Sequence, residues 1–246
     1  MENIVYYVLS ALAVLIILPI HEYAHGYMAY KLGDNTARDL GRLSLNPMRH
    51  LDPLGALCMV VFHFGWAKPV PINPRNFKKP KRDFALTALA GPLSNLIMAF
   101  LSAFVYLLLQ AIFVKAIFPA KILVTLAENT LLFFYIFHLI NLSLALFNLI
   151  PVPPLDGSRL LTVVLPPKAY FGIMKYERQI YFGLLIWLVV GSFISRFLLS
   201  MPLIAQSSIL STLAGCLSLS NLLGMLVSLI SQGFMWFWSL IPFLKV

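Results

Sequence analysis

Long stretches of this chain contain no Lys, Arg, Asp or Glu. They run over residues 3–20, 84–114, 129–155, 179–195 and 197–244. About 20 consecutive apolar residues are enough for a helix to cross the hydrocarbon core of a bilayer, so most of these runs read as membrane spans. The first stays largely apolar through residue 30. No basic leader precedes it and no small-residue cleavage site follows, so a retained helix is expected rather than a signal peptide. The last run is long enough for a helical hairpin, or for one span with interfacial helices, and its serines and Pro202 leave both open. Only 11% of the 246 residues are charged and 60% are hydrophobic, with a mean hydropathy of +0.87. That excludes a soluble domain, a disordered chain and a coiled coil. No ten-residue alternation of polar and apolar residues recurs, which argues against a membrane barrel.

The expected fold is therefore an all-α polytopic membrane protein of about five to six transmembrane helices. The segment after the first helix behaves differently. Residues 31–83 hold ten of the eighteen basic residues, many prolines and one short apolar run, 54–66. That run is too short for a span and reads as re-entrant or membrane-surface structure. Its flanks, 41–47 and 66–74, read as extended chain because of their proline spacing. Residues 1–178 form the expected core, and 179–246 the C-terminal transmembrane and interfacial helices.

Cytoplasmic loops of membrane proteins carry the excess of Lys and Arg. The ten-charge segment is thus expected in the cytoplasm and the loop around Lys115 and Lys121 outside. Arg159, Lys168, Lys175 and Arg178 return the chain to the cytoplasm. A net charge of +9 distributed in this way speaks of orientation, and no nucleic-acid partner is expected. Cys58 and Cys216 make no metal or disulfide pattern.

The sharpest motif is His21-Glu22-Tyr23-Ala24-His25. Positions i and i+4 share a helix face, so both imidazoles can bind one metal ion, with the glutamate placed to take a proton from an attacking water. The motif follows an uncharged run and precedes more apolar sequence. An ionisable group at such a place is costly and marks function by default. The bland alternative, a polar helix end at the interface, accounts poorly for three ionisable groups in one pentapeptide.

A catalytic zinc site normally has three protein ligands. Outside the basic loop the acidic candidates are Glu2, Glu128, Asp156 and Glu177. Glu2 and Glu128 fall toward the outer face, whereas Asp156 matches His21 and His25 in depth. Before Asp156, Pro151, Pro153 and Pro154 must break the helix, and broken backbone at membrane depth is tolerated where it lines a cavity. A simple loop beyond the membrane would read the same way. His138 and Asn141 read as interhelical hydrogen-bonding residues, His50 and His63 as interfacial. The aromatic tail of Phe234, Trp236, Phe237 and Trp238 reads as an interface belt.

Together, His21-Glu22-x-x-His25, Gly91-Pro92-Leu93-Ser94-Asn95 and Asn148 with Pro154-Leu155-Asp156-Gly157 resemble the signature elements of the site-2 protease family of intramembrane metalloproteases, in its compact bacterial branch. The resemblance covers residues 4–165. It departs at Ser158-Arg159, where many members have a second glycine. It implies one zinc ion held by His21, His25 and Asp156, with Glu22 activating water. It further implies substrate contacts from Asn95 and Asn148, and strand pairing of the 66–74 segment with an unwound substrate. The implied setting is the bacterial inner membrane with the site toward the cytoplasm, and the implied partners are the lipid bilayer and a transmembrane protein substrate.

The alternative is a non-catalytic metal-binding or scaffold protein on the same fold, which would be signalled by loss of Glu22 or a ligand. A di-iron desaturase needs about eight clustered histidines, and the chain has five. A transporter is disfavoured because no internal repeat is visible.

Overall fold

The computed structural model describes residues 2–50, 52, 68–116 and 120–245. The expected re-entrant run at 54–66 and His63 lie outside the described residues. Among the described residues, five helices are long and apolar enough to cross a membrane. The first is α1 (Glu2–Lys31). It ends where Gly33 takes φ 110, a conformation that suits glycine, and Asp34 N–H closes the turn on the Ala29 carbonyl. A single turn, α2 (Thr36–Asp39), follows. No strand occurs among the described residues. The chain at 42–46 and 68–73 is irregular, punctuated by short 3-10 turns at Pro47–Arg49 and Pro74–Asn76.

Helix α3 (Pro80–Lys115) starts with proline at its first position, and the Asp83 carboxylate accepts from Lys79 N–H. Helix α4 (Lys121–Asn148) ends just before the three prolines. Next come α5 (Gly157–Val164), α6 (Pro167–Met174) and α7 (Glu177–Leu199), the last containing a π-helical turn at Trp187–Gly191. The long apolar tail forms one span, α10 (Leu219–Ser239), preceded by two short helices, α8 (Pro202–Ala205) and α9 (Ser208–Cys216). That outcome favours one span with short helices over a hairpin.

Helix α3 lies at the centre of the packing. Its buried positions are almost all small, including Ala85, Ala88, Gly91, Ala99, Ser102 and Ala103. In lipid, helices associate through close backbone approach and hydrogen bonds rather than through a hydrophobic drive, and small residues permit that approach. Ala13 and Ile17 of α1 meet Ile136 of α4, while Ala99 of α3 meets Leu142 of α4 and Val227 of α10. His138, fully buried, donates from Nδ1 to the Ala99 carbonyl (2.8 Å) and contacts Ser231 Oγ through Nε2 (2.9 Å). It is thus the interhelical residue expected.

The aromatic tail is only partly a belt. Trp236 is exposed, but Phe234 and Trp238 pack on Phe100, and the Trp238 indole donates to the Phe100 carbonyl at 2.9 Å. His50, expected to be interfacial, is buried within the protein, where its Nε2 donates to the Ser44 carbonyl at 2.6 Å.

Candidate metal centre

Helical spacing puts His21 and His25 one turn apart on α1, where both are buried. Their rings meet edge-to-face with centroids 4.6 Å apart. The two Nε2 atoms are 3.0 Å apart, and each lies 3.2 Å from Asp156 Oδ2. Asp156 reaches this point because the helix cannot continue through Pro151, Pro153 and Pro154. The freed chain makes tight turns, with Val152 N–H on the Ile150 carbonyl and Leu155 N–H on the Val152 carbonyl. It then returns over the end of α4. Gly157 makes the return possible, because a Cβ there would collide with the Leu149 and Ile150 carbonyl oxygens.

The far side of each ring decides what the near side can do. His25 Nδ1 lies 2.8 Å from the Thr87 carbonyl, which can only accept, so Nδ1 carries a proton and, in the neutral ring, Nε2 a lone pair. His21 Nδ1 meets Asn95 Oδ1. That amide is oriented by its neighbours: Asn141 Nδ2 donates to the Phe137 carbonyl at 2.8 Å, which leaves Asn141 Oδ1 to accept from Asn95 Nδ2 at 2.8 Å. Asn95 therefore turns its oxygen to His21, and in the neutral ring His21 Nε2 also carries a lone pair.

In their neutral form both imidazoles thus present an Nε2 lone pair, and these face each other and a carboxylate oxygen at 3.0–3.2 Å. Three donors, each about 2.0–2.1 Å from one tetrahedral ion, stand about 3.3 Å apart. The donor set fits a metal ion in chemistry and in spacing.

Close packing completes the centre. A Cβ at Gly91 would run into the His25 and His21 rings, so α3 can pass the metal face of α1 only with glycine there. Gly91 and Asn95, four residues apart, address His25 and His21 from the same side of α3.

Glu22 is half-buried, and its Oε2 accepts from Val70 N–H at 2.7 Å. Val70 belongs to a strap, residues 68–77, that crosses α1. Arg42 clamps it through the Lys68 and Pro69 carbonyls, at 2.8 and 3.2 Å. Asp34 anchors it, accepting from Asn73 N–H and from Asn76 Nδ2, both at 2.7 Å, and from Thr36. Burial alone pushes the Asp34 carboxyl up, but these bonds outweigh it and hold it below the usual carboxylate range.

The sequence-predicted residues His21, His25 and Asp156 are brought together, with Glu22 adjoining in the chain. Asn95 is fully buried with both amide groups engaged by protein. Asn148, the last residue of α4, is half-buried, and its side chain makes no hydrogen bond among the described residues. Thr87, Gly91 and Val70 act through backbone atoms or through the absence of a side chain, which residue type does not advertise. Asn141 carried a usable signal, a second amide inside a span.

The family model of Peptidase family M50 matches residues 9–188. The chain belongs to this family, the site-2 proteases. Among M50 relatives, "Putative zinc metalloprotease YwhC" of Bacillus subtilis is 42% identical over 195 residues, covering 77% of this chain and 85% of the relative. "Putative zinc metalloprotease Rip2" of Mycobacterium tuberculosis is 29% identical over 158 residues, covering 63% of this chain and 56% of its own length. Its counterpart in Mycolicibacterium smegmatis is 26% identical over 155 residues, with coverages of 61% and 55%. The chain thus spans little more than half the length of either Rip2. No solved structure matches it. As an M50 metalloprotease with five apolar helices, it is an integral membrane protein.

Proposed function

We propose that the protein is a zinc endopeptidase that cuts transmembrane protein substrates within or near the bilayer. The observation that carries the reading is the convergence of His21 Nε2, His25 Nε2 and Asp156 Oδ2 at 3.0–3.2 Å, at one end of a bundle of membrane-length helices. Zinc, the metal named in the relatives, supplies Lewis-acid polarisation of the scissile carbonyl and makes water easier to deprotonate. His21, His25 and Asp156 hold it.

Glu22 takes the proton of the attacking water and passes it to the leaving amine. The Val70 N–H occupies only Oε2. That leaves Oε1 available for the proton and stops the carboxylate from swinging away. A helical peptide bond must unwind before attack, and in lipid each freed backbone group needs a new partner. The unpaired Asn148 amide is suited to meet one, and the strap can offer backbone groups to an unwound substrate. The positive-inside bias supports a site facing the cytoplasm, and the family resemblance supports a bacterial inner membrane as the setting.

The test is cleavage of a labelled set of single-span proteins by purified wild type and Glu22→Gln, with and without a zinc chelator. Wild type is expected to cut and to lose activity to the chelator. Glu22→Gln is expected to keep its zinc and not to cut, because an amide cannot take the proton. Chelator-resistant cleavage, or an active Glu22→Gln, would overturn the assignment.

A further inference from the structure

The pair Asn95 and Asn141 lies in the dry centre of the bundle, both fully buried. Interhelical glue would explain one bond between them. It does not explain the direction in which the bonds run. The Phe137 carbonyl can only accept, so it takes the Asn141 Nδ2 group. That choice propagates through Asn141 Oδ1 and Asn95 Nδ2 to Asn95 Oδ1, which faces His21 Nδ1. Each amide is locked the same way up by the one before it.

We propose that Asn141 is a positioning residue for the metal site, setting through Asn95 the tautomer of His21 that can bind a metal. The inference rests on the zinc reading above. An asparagine amide has a donor end and an acceptor end of nearly the same shape. Left free, Asn95 could turn its Nδ2 group to His21. The imidazole would then keep its lone pair on Nδ1 and its proton on Nε2, pointing the proton at Asp156 and His25 where a ligand is needed. His25 needs no such relay, because the Thr87 carbonyl has only one polarity. Partners of the outer ring nitrogen commonly alter metal affinity about 10–100-fold.

Zinc affinity, measured on full-length protein in detergent by competition with a chromogenic chelator, tests this directly. Asn141→Leu keeps size but removes the orienting groups, and is expected to weaken zinc about 10–100-fold. Adding Asn95→Asp to it is expected to restore most of that affinity, because a carboxylate presents an acceptor to His21 whichever way it turns. A purely structural role predicts no rescue, since the double variant has lost more of the wild-type contacts than the single one. The relay is overturned if Asn141→Leu binds zinc as wild type does, or if the double variant binds no better than Asn141→Leu. Asn95→Asp alone serves if Asn141→Leu does not fold: affinity close to wild type supports the relay, and a loss as large as that of Asn95→Leu overturns it. Zinc missing from the wild-type protein would instead overturn the metal reading itself, so the two failures are distinguishable.

Discussion

The Val70 amide donates to Glu22 Oε2 at 2.7 Å, and in Pro69-Val70-Pro71 it is the single backbone N–H available. Flanking prolines fix the local chain in extended form before the contact is made. The strap therefore presents one donor, at one height, to the carboxylate next to His21.

Replacing Val70 by proline should remove that donor and little else, since the residue already sits in an extended run. A hydrogen bond to a charged group contributes about 1.5–3 kcal/mol, so cleavage should slow by about 10–100-fold. Zinc content should not change. Val70→Ala retains the N–H and serves as control. If the two variants cleave equally well, the amide has no role in holding Glu22.

Gly91→Ala places a methyl group against the His21 and His25 rings. Overpacking of this kind costs about 1–3 kcal/mol, which should weaken zinc binding about tenfold or more. Gly172→Ala, with nothing within 4 Å of its new Cβ, should bind zinc normally. Normal zinc stoichiometry and affinity in Gly91→Ala would mean that the helices can part without consequence.

The carboxylate of Asp34 is held below its ordinary range by the bonds that anchor the strap. A depressed folded-state value contributes stability that is present above the unfolded value, about 3.9, and is lost as pH falls through the folded value. The strap should therefore stay protected from pH 8 down to about 5, and open only below about 4. Limited proteolysis with an acid-active protease, read at residues 68–77, would measure this. Asp34→Asn should expose the strap already at pH 6; a variant as resistant as wild type would show that the anchor lies elsewhere.

Orientation is checked with single cysteines. Lys79→Cys should be shielded from an impermeant thiol reagent added outside, and Lys121→Cys should react, as the distribution of basic residues requires. The reverse pattern would invert the protein and put the metal end of α1 outside.

Asn148→Leu should leave zinc bound and slow cleavage of helical substrates more than that of substrates already broken by Gly or Pro. A pre-broken substrate has fewer backbone groups to re-satisfy. Equal losses on both kinds would limit Asn148 to support of the fold.

The spans and the His21-Glu22-x-x-His25 pentapeptide were legible in the sequence because hydrophobicity and helical spacing are local properties. Asp156 was found by depth and by the prolines before it, and the two histidines do meet it at 3.2 Å. What escaped was long-range or written in the backbone. Asn95 was read as a substrate contact because its motif named it. Its engagement with His21 depends on Asn141, 46 residues away, and on a carbonyl that residue identity does not reveal. Gly91 was quoted only as part of a motif, and that its missing side chain lets α3 pass the two histidine rings is visible only in the packing. The 197–244 run was ambiguous because hydropathy counts apolar residues but does not say where Pro202 and the serines divide them.

The bond between His138 and Ser231 joins α4 to α10, well beyond residue 188, where the family match ends. The segment that the family model matches thus leans on a helix outside it. Trimmed to its family boundary, it would leave an imidazole nitrogen facing hydrocarbon, with neither water nor protein to satisfy it. The helix beyond that boundary is for that reason a structural dependency of the bundle, and exchanging it between relatives should succeed only where the incoming helix carries a hydroxyl at the same depth.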